Sequence, residues 1–299
     1  LADNPQLKCL DDDFEYLFSS WFNRGFLVLK PIDWKTPANI LEKIIEYEAV
    51  HTINDWDDLR RRLQPEDRSC FAFFHPAMPE EPLIFVEVAL TNEVPQSVNK
   101  LLAESRDLVD SGKFDTAVFY SISNCQRGLQ GVSFGNFLIK QVVHDLKQDF
   151  PNLSTFVTLS PIPRFRSWFA KEFKDSDLTN IMEIQQAFEN LQVDTAEEVL
   201  KDLEKQMKIL LAKYFLVEKR SDGKPIDPVA RFHLGNGASL LRFNWMADIT
   251  ENGLRQSAGM MVNYKYDLST VETNHETYVG EGTVNTTREI RSLAKSDLK

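Results

Sequence analysis

From Phe14 to Phe26 apolar residues recur at helical spacing, with Phe14, Leu17, Phe18, Trp21 and Phe22 on one face. That pattern predicts an amphipathic helix. A second helical pattern runs through "TPANILEKIIEYEAV", with Thr36 at the N-cap position and Pro37 first in the helix, where a missing N–H is tolerated. "DWDDLRRRLQP" reads as a short helix that stops before Pro65. The pattern then changes character. "CFAFFHP" and "PLIFVEVAL" are apolar runs rich in aromatic and β-branched residues, predicted as two strands with "AMPEE" as their turn. A helix is expected near 94–109, followed by the strand "DTAVFYSIS".

In "GNFLIKQVVHDLKQDF" the residues Phe137, Leu138, Val142, Val143 and Leu146 fall on one side of a helix that Pro151 ends, and "STFVTLS" is again a strand. Residues 115–160 therefore read as strand, loop, helix and strand, with both strands expected in one sheet through a right-handed crossover. Residues 164–217 are mostly helical and charged, and "KRSDGKPIDP" is a loop. "ASLLRFNWMAD" and "GMMVNYKYDL" are predicted strands of a hairpin, with "ITENGLRQSA" as a long loop between them. There is no repeat, no low-complexity tract and no clean linker. The expectation is one domain over 1–299, of α/β (α+β) class, with a helical excursion at about 164–217.

Composition narrows the function. A chain of 299 residues with 42% hydrophobic content builds a sizeable core, and no apolar run approaches a membrane span. The net charge of −11 argues against nucleic acid and anionic membrane as partners. A polyanionic small ligand needs only local positive charge and stays open. Cys9, Cys70 and Cys125 are an odd, scattered set, expected free in a reducing compartment. The acidic start "LADNPQLKCLDDDF" has neither an initiator Met nor the form of a signal peptide. Something upstream is therefore expected to be missing. The expected location is cytoplasmic, or the mitochondrial matrix if a targeting segment has been removed.

The chemistry begins at "QGVSFGNFLIK". A helix opening on small residues exposes unpaired N–H groups and the positive end of its dipole, where phosphate commonly binds. Gly131 and Gly135 let the backbone approach a ligand, although a tight strand-to-helix turn would look the same. The sequence is neither a Walker A loop nor a full Gly-x-Gly-x-x-Gly.

The run Gln130-x-x-Ser133-x-Gly135, after a strand and opening a helix, resembles the acyl-CoA pyrophosphate loop of the GCN5-related N-acetyltransferase fold. Ser133 stands where that pattern has a glycine. Three further stretches, "FYSISNCQRGLQGVSFGNFLIKQVV", "TLSPIPRFRSWF" and "FHLGNGASLLRFNWMAD", together resemble the malonyl-CoA decarboxylase family. "SSWFNRGFL" and "GMMVNYKY" extend the likeness over nearly the whole chain. The resemblance implies an acetyltransferase-like mixed sheet flanked by helices, without the family's N-terminal helical module. It implies conversion of malonyl-CoA to acetyl-CoA and carbon dioxide, and a homo-oligomer for the full-length protein. It also implies a pyrophosphate loop formed by Gln130, Gly131, Val132, Ser133, Phe134, Gly135 and Asn136. No cofactor and no metal is implied, since the coenzyme A thioester is the substrate and its electron sink.

Ser160, in "LSPIPRF", is restricted to extended backbone by Pro161. Read alone it is a hydroxyl satisfying a turn. His233, followed by Gly235 and Gly237, is a core histidine or one lying where backbone nears a ligand. The resemblance makes Ser160 and His233 catalytic and gives Tyr266 a supporting part, although a core aromatic would read the same. A hydroxyl can hold the carboxylate, and a histidine can protonate C2 of the enolate that carbon dioxide leaves behind. In that family the serine is usually described as proton acceptor and the histidine as donor. The residues also allow an acyl-CoA N-acyltransferase or a non-catalytic acyl-CoA sensor. Cys125 reads as packing or as a thiolate near the helix start, and His75 as lining a pocket or as a turn histidine. His51, His144 and His275 have no neighbours at metal-ligand spacing. Arg60, Arg61 and Arg62 read as a solvated face beside Asp55, Asp57 and Asp58, with contact to a coenzyme A phosphate possible in principle.

Overall fold

A computed structural model of the chain describes residues 5–21, 24–106, 111–126 and 137–297. Along the chain come α1 (Lys8–Trp21), β1 (Val28–Ile32), α2 (Ala38–Tyr47), α3 (Trp56–Leu63), β2 (Arg68–His75), β3 (Met78–Thr91), α4 (Val98–Leu101), β4 (Thr116–Asn124) and α5 (Phe137–Asp149). There follow β5 (Thr155–Thr158), β6 (Ser160–Pro161), α6 (Phe165–Glu172), α7 (Thr179–Glu189), α8 (Ala196–Leu200), α9 (Glu204–Leu216), α10 (Pro228–Gly235), β7 (Ser239–Asn244), α11 (Glu251–Ser257), β8 (Met261–Lys265), α12 (Val271–Glu281) and α13 (Arg288–Ala294). The chain divides into two compact units, one of Leu1–Asn92 with Leu108–Ser154, the other of Glu93–Asp107 with Thr155–Lys299.

In the first unit β1, β2, β3 and β4 pair antiparallel in that order. One sheet face packs on α2 and α3: Ile40, Leu41, Ile44, Leu59 and Leu63 meet Ala72, Phe74 and Phe85 in one buried cluster. Each large side chain so buried contributes about 1.5–3 kcal/mol. The β2–β3 turn is shorter than "AMPEE" suggests. His75 pairs with Met78, so only Pro76 and Ala77 turn, and the glutamates lie within β3. They belong there because α2 supplies partners, Lys43 and Tyr47 donating to Glu81 and Asn39 to Glu80. The first helix starts earlier than its pattern indicates, and Leu10, Phe14, Leu17 and Trp21 are exposed along it. Thr36 does not cap α2; its hydroxyl accepts the Asp33 N–H in the preceding turn.

Arg62 is not on a solvated face. Its guanidinium is buried, donating to Glu87 at 3.2 Å and to the carbonyls of His51 and Thr52. Arg60 and Arg61 do pair with Asp57 and Asp58 near the surface. Glu87 shares the face of Phe85, two residues earlier, and lies under the helices. A β-bulge follows it, so Tyr120 of β4 has no paired residue on β3. Burial and the Glu48 carboxylate push Glu87 up to about 8, against the pull of Arg62.

In the second unit β8 is central. β5 and β6 run antiparallel along one side, with Val157 opposite Lys265 and Ser160 opposite Val262, and β7 also pairs with β8. The helical stretch over 164–217 resolves into α6 to α9. Of the expected helix near 94–109, α4 alone is helical among the described residues 94–106; ahead of it the Val94 and Pro95 carbonyls accept from Arg242, and Val98 N–H donates to the Ala247 carbonyl. The loop "ITENGLRQSA" contains α11, capped by the Thr250 hydroxyl on Gly253 N–H. Glycine lowers helix propensity and hides that helix. At 253 it is needed, since a Cβ would lie 2.4 Å from the Asp248 carbonyl oxygen.

Glu87 gives the first prediction. Its folded pKa is raised, so its contribution is full at low pH and is lost as pH rises from the ordinary 4.5 toward about 8. Glu87→Gln removes that slope. Urea unfolding of the two proteins across this window checks it: wild type must lose stability relative to the variant as pH rises, and parallel curves contradict the assignment.

Candidate active site

The candidate residues for chemistry meet in the second unit. His233 lies on α10, a short helix with a sharp start. The Asp227 carboxylate accepts Ala230 N–H at 2.9 Å, and Pro228 occupies the first helical position. Burial raises Asp227 to about 6, against the bonds from Ala230 N–H and from the Tyr214 hydroxyl. The helix ends two residues past His233, and the chain leaves through Gly237 at φ +81°. A Cβ there would sit 2.0 Å from the Val271 carbonyl oxygen. Gly237 thus lets the chain pack against its own α12.

His233 is buried with both ring nitrogens engaged. Nε2 lies 3.1 Å from Ser160 Oγ and Nδ1 lies 2.8 Å from the Tyr266 hydroxyl. The ring stacks on Tyr264, centroids 4.6 Å apart and planes at 27°. Carbonyl groups at a helix C-terminus favour an imidazolium. Burial outweighs them and lowers His233 to about 3, so the ring is neutral at physiological pH. Burial also pushes the Tyr266 phenol well above its ordinary range, so it stays protonated.

Ser160 and Pro161 form the short β6 on β8, the extended backbone that Pro161 requires. Two residues earlier on the same strand face, Thr158 accepts the Ser160 hydroxyl at 2.8 Å and Tyr264 N–H at 3.1 Å. Asn263 Nδ2 donates to the Thr158 carbonyl at 2.7 Å. Three expected site residues, Ser160, His233 and Tyr266, thus lie in one hydrogen-bonded chain. It can hold a carboxylate and pass a proton. Thr158, Tyr264 and Asp227 were missed, though each left a trace: "TLS" and "YKY" space their members two apart, and "IDP" is a helix start.

The other candidates have surroundings of their own. Cys125 is buried and free, and burial pushes its thiol up, away from thiolate chemistry. His75 accepts Ala77 N–H in the β2–β3 turn, His144 pairs with Gln148, and His275 donates to the Gly235 carbonyl. His51 lies against the Tyr120 ring. Among the described residues no group of three or more His, Cys, Asp or Glu is placed to hold a metal, and no helix is long and apolar enough to cross a membrane. Gln130, Gly131, Val132, Ser133, Phe134, Gly135 and Asn136 lie outside the described residues.

Two predictions follow from this geometry. Gly237→Ala places a side chain in a left-handed conformation against backbone, so it should destabilise the protein by at least about 1–2 kcal/mol, read as a lowered urea midpoint; an unchanged midpoint contradicts the close approach. The His233 pKa is depressed, so its contribution is present above its ordinary 6.5 and is lost as pH falls toward about 3. Acid unfolding of His233→Asn should therefore be shallower across that window than that of wild type, and equal slopes would show that His233 is not buried neutral.

Comparison with known proteins agrees with this architecture. The family profile of the malonyl-CoA decarboxylase C-terminal domain matches residues 25–299. Mitochondrial malonyl-CoA decarboxylase of Anser anser anser is 39% identical over 316 residues, covering 98% of this chain; the chain spans only 62% of that relative's length. The crystal structure of malonyl-CoA decarboxylase from Rhodopseudomonas palustris is 52% identical with a TM-score of 0.91, covering 97% of this chain and 72% of that one. The loading GNATL domain of CurA from Lyngbya majuscula, at 12% identity and a TM-score of 0.50 over 82% of this chain and 98% of that domain, shares the fold alone. The mixed α/β fold is thus of the acetyltransferase-like kind, and the chain belongs to the malonyl-CoA decarboxylase family.

Proposed function

We propose that this chain decarboxylates malonyl-CoA to acetyl-CoA and carbon dioxide, with Ser160 and His233 at the malonyl end. Family membership supports the reaction, and the observation that carries the reading is the buried chain Ser160–His233–Tyr266. The C2–carboxylate bond breaks with its electrons passing into the thioester, which becomes an enolate. Carbon dioxide departs, and C2 takes one proton. The thioester is the electron sink, so the reaction as written draws on no metal or cofactor. A neutral ring that gives up its proton becomes an imidazolate, and an enolate carbon is more basic still, so a weak acid held at short range is enough. Ser160 Oγ aims the His233 ring, His233 supplies the proton, and the Tyr266 hydroxyl on Nδ1 steadies the ring that has given it up. A proton from solvent restores His233 as product leaves.

The loop Gln130–Asn136 is proposed to hold the coenzyme A pyrophosphate through backbone N–H groups. Malonyl-CoA and acetyl-CoA are the proposed partners, and a homo-oligomer is proposed for the full-length protein.

Mass spectrometry of the products from purified protein and malonyl-CoA tests the reading. Acetyl-CoA should appear, undiminished by a chelator. Thermal stabilisation by malonyl-CoA without turnover would mark a sensor instead, and malonyl transfer to an added amine an N-acyltransferase. Ser160→Ala and His233→Ala should each lower kcat about a hundredfold or more while acetyl-CoA still binds. Gly135→Val should raise KM for coenzyme A esters more than it lowers kcat.

A further inference from the structure

The catalytic reading leaves open which nitrogen of His233 carries its proton, and the surroundings of Thr158 decide it. Thr158 is fully buried, and its hydroxyl oxygen has two lone pairs. Tyr264 N–H, a backbone group that can only donate, takes one at 3.1 Å. The Ser160 hydroxyl takes the other at 2.8 Å, shorter than its 3.1 Å contact with His233 Nε2. Ser160 has a single proton, and the heavy-atom geometry directs it at Thr158. The contact between Ser160 Oγ and Nε2 must then run from N–H to oxygen. A neutral ring has one proton, so Nδ1 is an acceptor and the Tyr266 hydroxyl donates to it across 2.8 Å.

We propose that Thr158 is a positioning residue: anchored by Tyr264 N–H, its oxygen holds the Ser160 proton and thereby keeps the His233 proton on Nε2, facing the substrate. Asn263 holds the backbone of the same residue, so Thr158 is gripped at both its side chain and its carbonyl. The inference rests on the decarboxylase reading for its consequence. The Nε2–H bond breaks as the C2–H bond forms, and Ser160 Oγ keeps lone pairs toward that hydrogen. Without the Thr158 hydroxyl, the Ser160 proton turns to Nε2, the ring proton moves to Nδ1 and donates to Tyr266, and the nitrogen facing the substrate has nothing to give.

Nitrogen NMR of protein labelled in histidine tests this, with His233 assigned by its absence in His233→Asn. Wild type should show a neutral ring protonated at Nε2. Thr158→Val should move the proton to Nδ1 and lower kcat about a hundredfold with KM for malonyl-CoA little changed. Thr158→Ser, which keeps the hydroxyl, should restore both. A wild-type ring protonated at Nδ1 overturns the proposal even if the valine variant fails to fold, and so does a folded Thr158→Val that keeps its Nε2 proton. A wild type that shows the Nε2 proton but no turnover of malonyl-CoA would sink the decarboxylase reading while leaving the assignment of the tautomer intact.

Discussion

An imidazole taken out of water must stay neutral and must satisfy both nitrogens, and the second unit is arranged around that requirement at His233. No carboxylate is hydrogen-bonded to the ring among the described residues; its partners are the hydroxyls of Ser160 and Tyr266. A carboxylate on Nδ1 would have drawn the ring toward its charged form, whereas a phenol held above its ordinary range supports a neutral one. The neighbouring structure serves this geometry. Asp227 and Pro228 start α10 so that His233 falls in its last turn, Gly237 turns the chain away at once, and β8 brings Tyr264, and Tyr266 just past its end, to the ring.

The first unit solves a related problem with charge. Arg62 is buried beside Glu87, whose carboxyl burial pushes up to about 8, so the cation is held by hydrogen bonds more than by a full counter-charge. Here the cation is shared among Glu87 and two backbone carbonyls, while Glu48 accepts the N–H groups of Val50 and His51 and the Ser121 hydroxyl. The polar groups tie α2, α3, β3 and β4 together beneath an apolar cluster whose own contacts have no direction. That sets the register of helices on sheet more strictly than apolar packing alone would.

Much of this was legible in the sequence because the signals were local. Strands β2 to β4 announce themselves by composition, α3 by the proline that stops it, and the backbone at Ser160 by the proline after it. The region around His233 was not, because "FHLGNG" reads as loop until the Asp-Pro start upstream is given weight. Helix α12 escaped for another reason: in Val271–Glu281 only Val271 and Tyr278 are buried, too sparse a pattern to show a period. Arg62 was read as solvated with its neighbours because burial of one arginine in three depends on Glu87, 25 residues away in the chain. The partners of Ser160 required the pairing of β6 with β8, which no local pattern supplies.

The claim at the centre of this account is that the malonyl carbon is held against His233. A crystal structure of Ser160→Ala with malonyl-CoA bound addresses it without reference to rate. The account predicts C2 facing Nε2 at about 3–3.5 Å, the separation of a near-attack geometry. A malonyl group lying beyond contact with the His233 ring, in a fully occupied site, would contradict it.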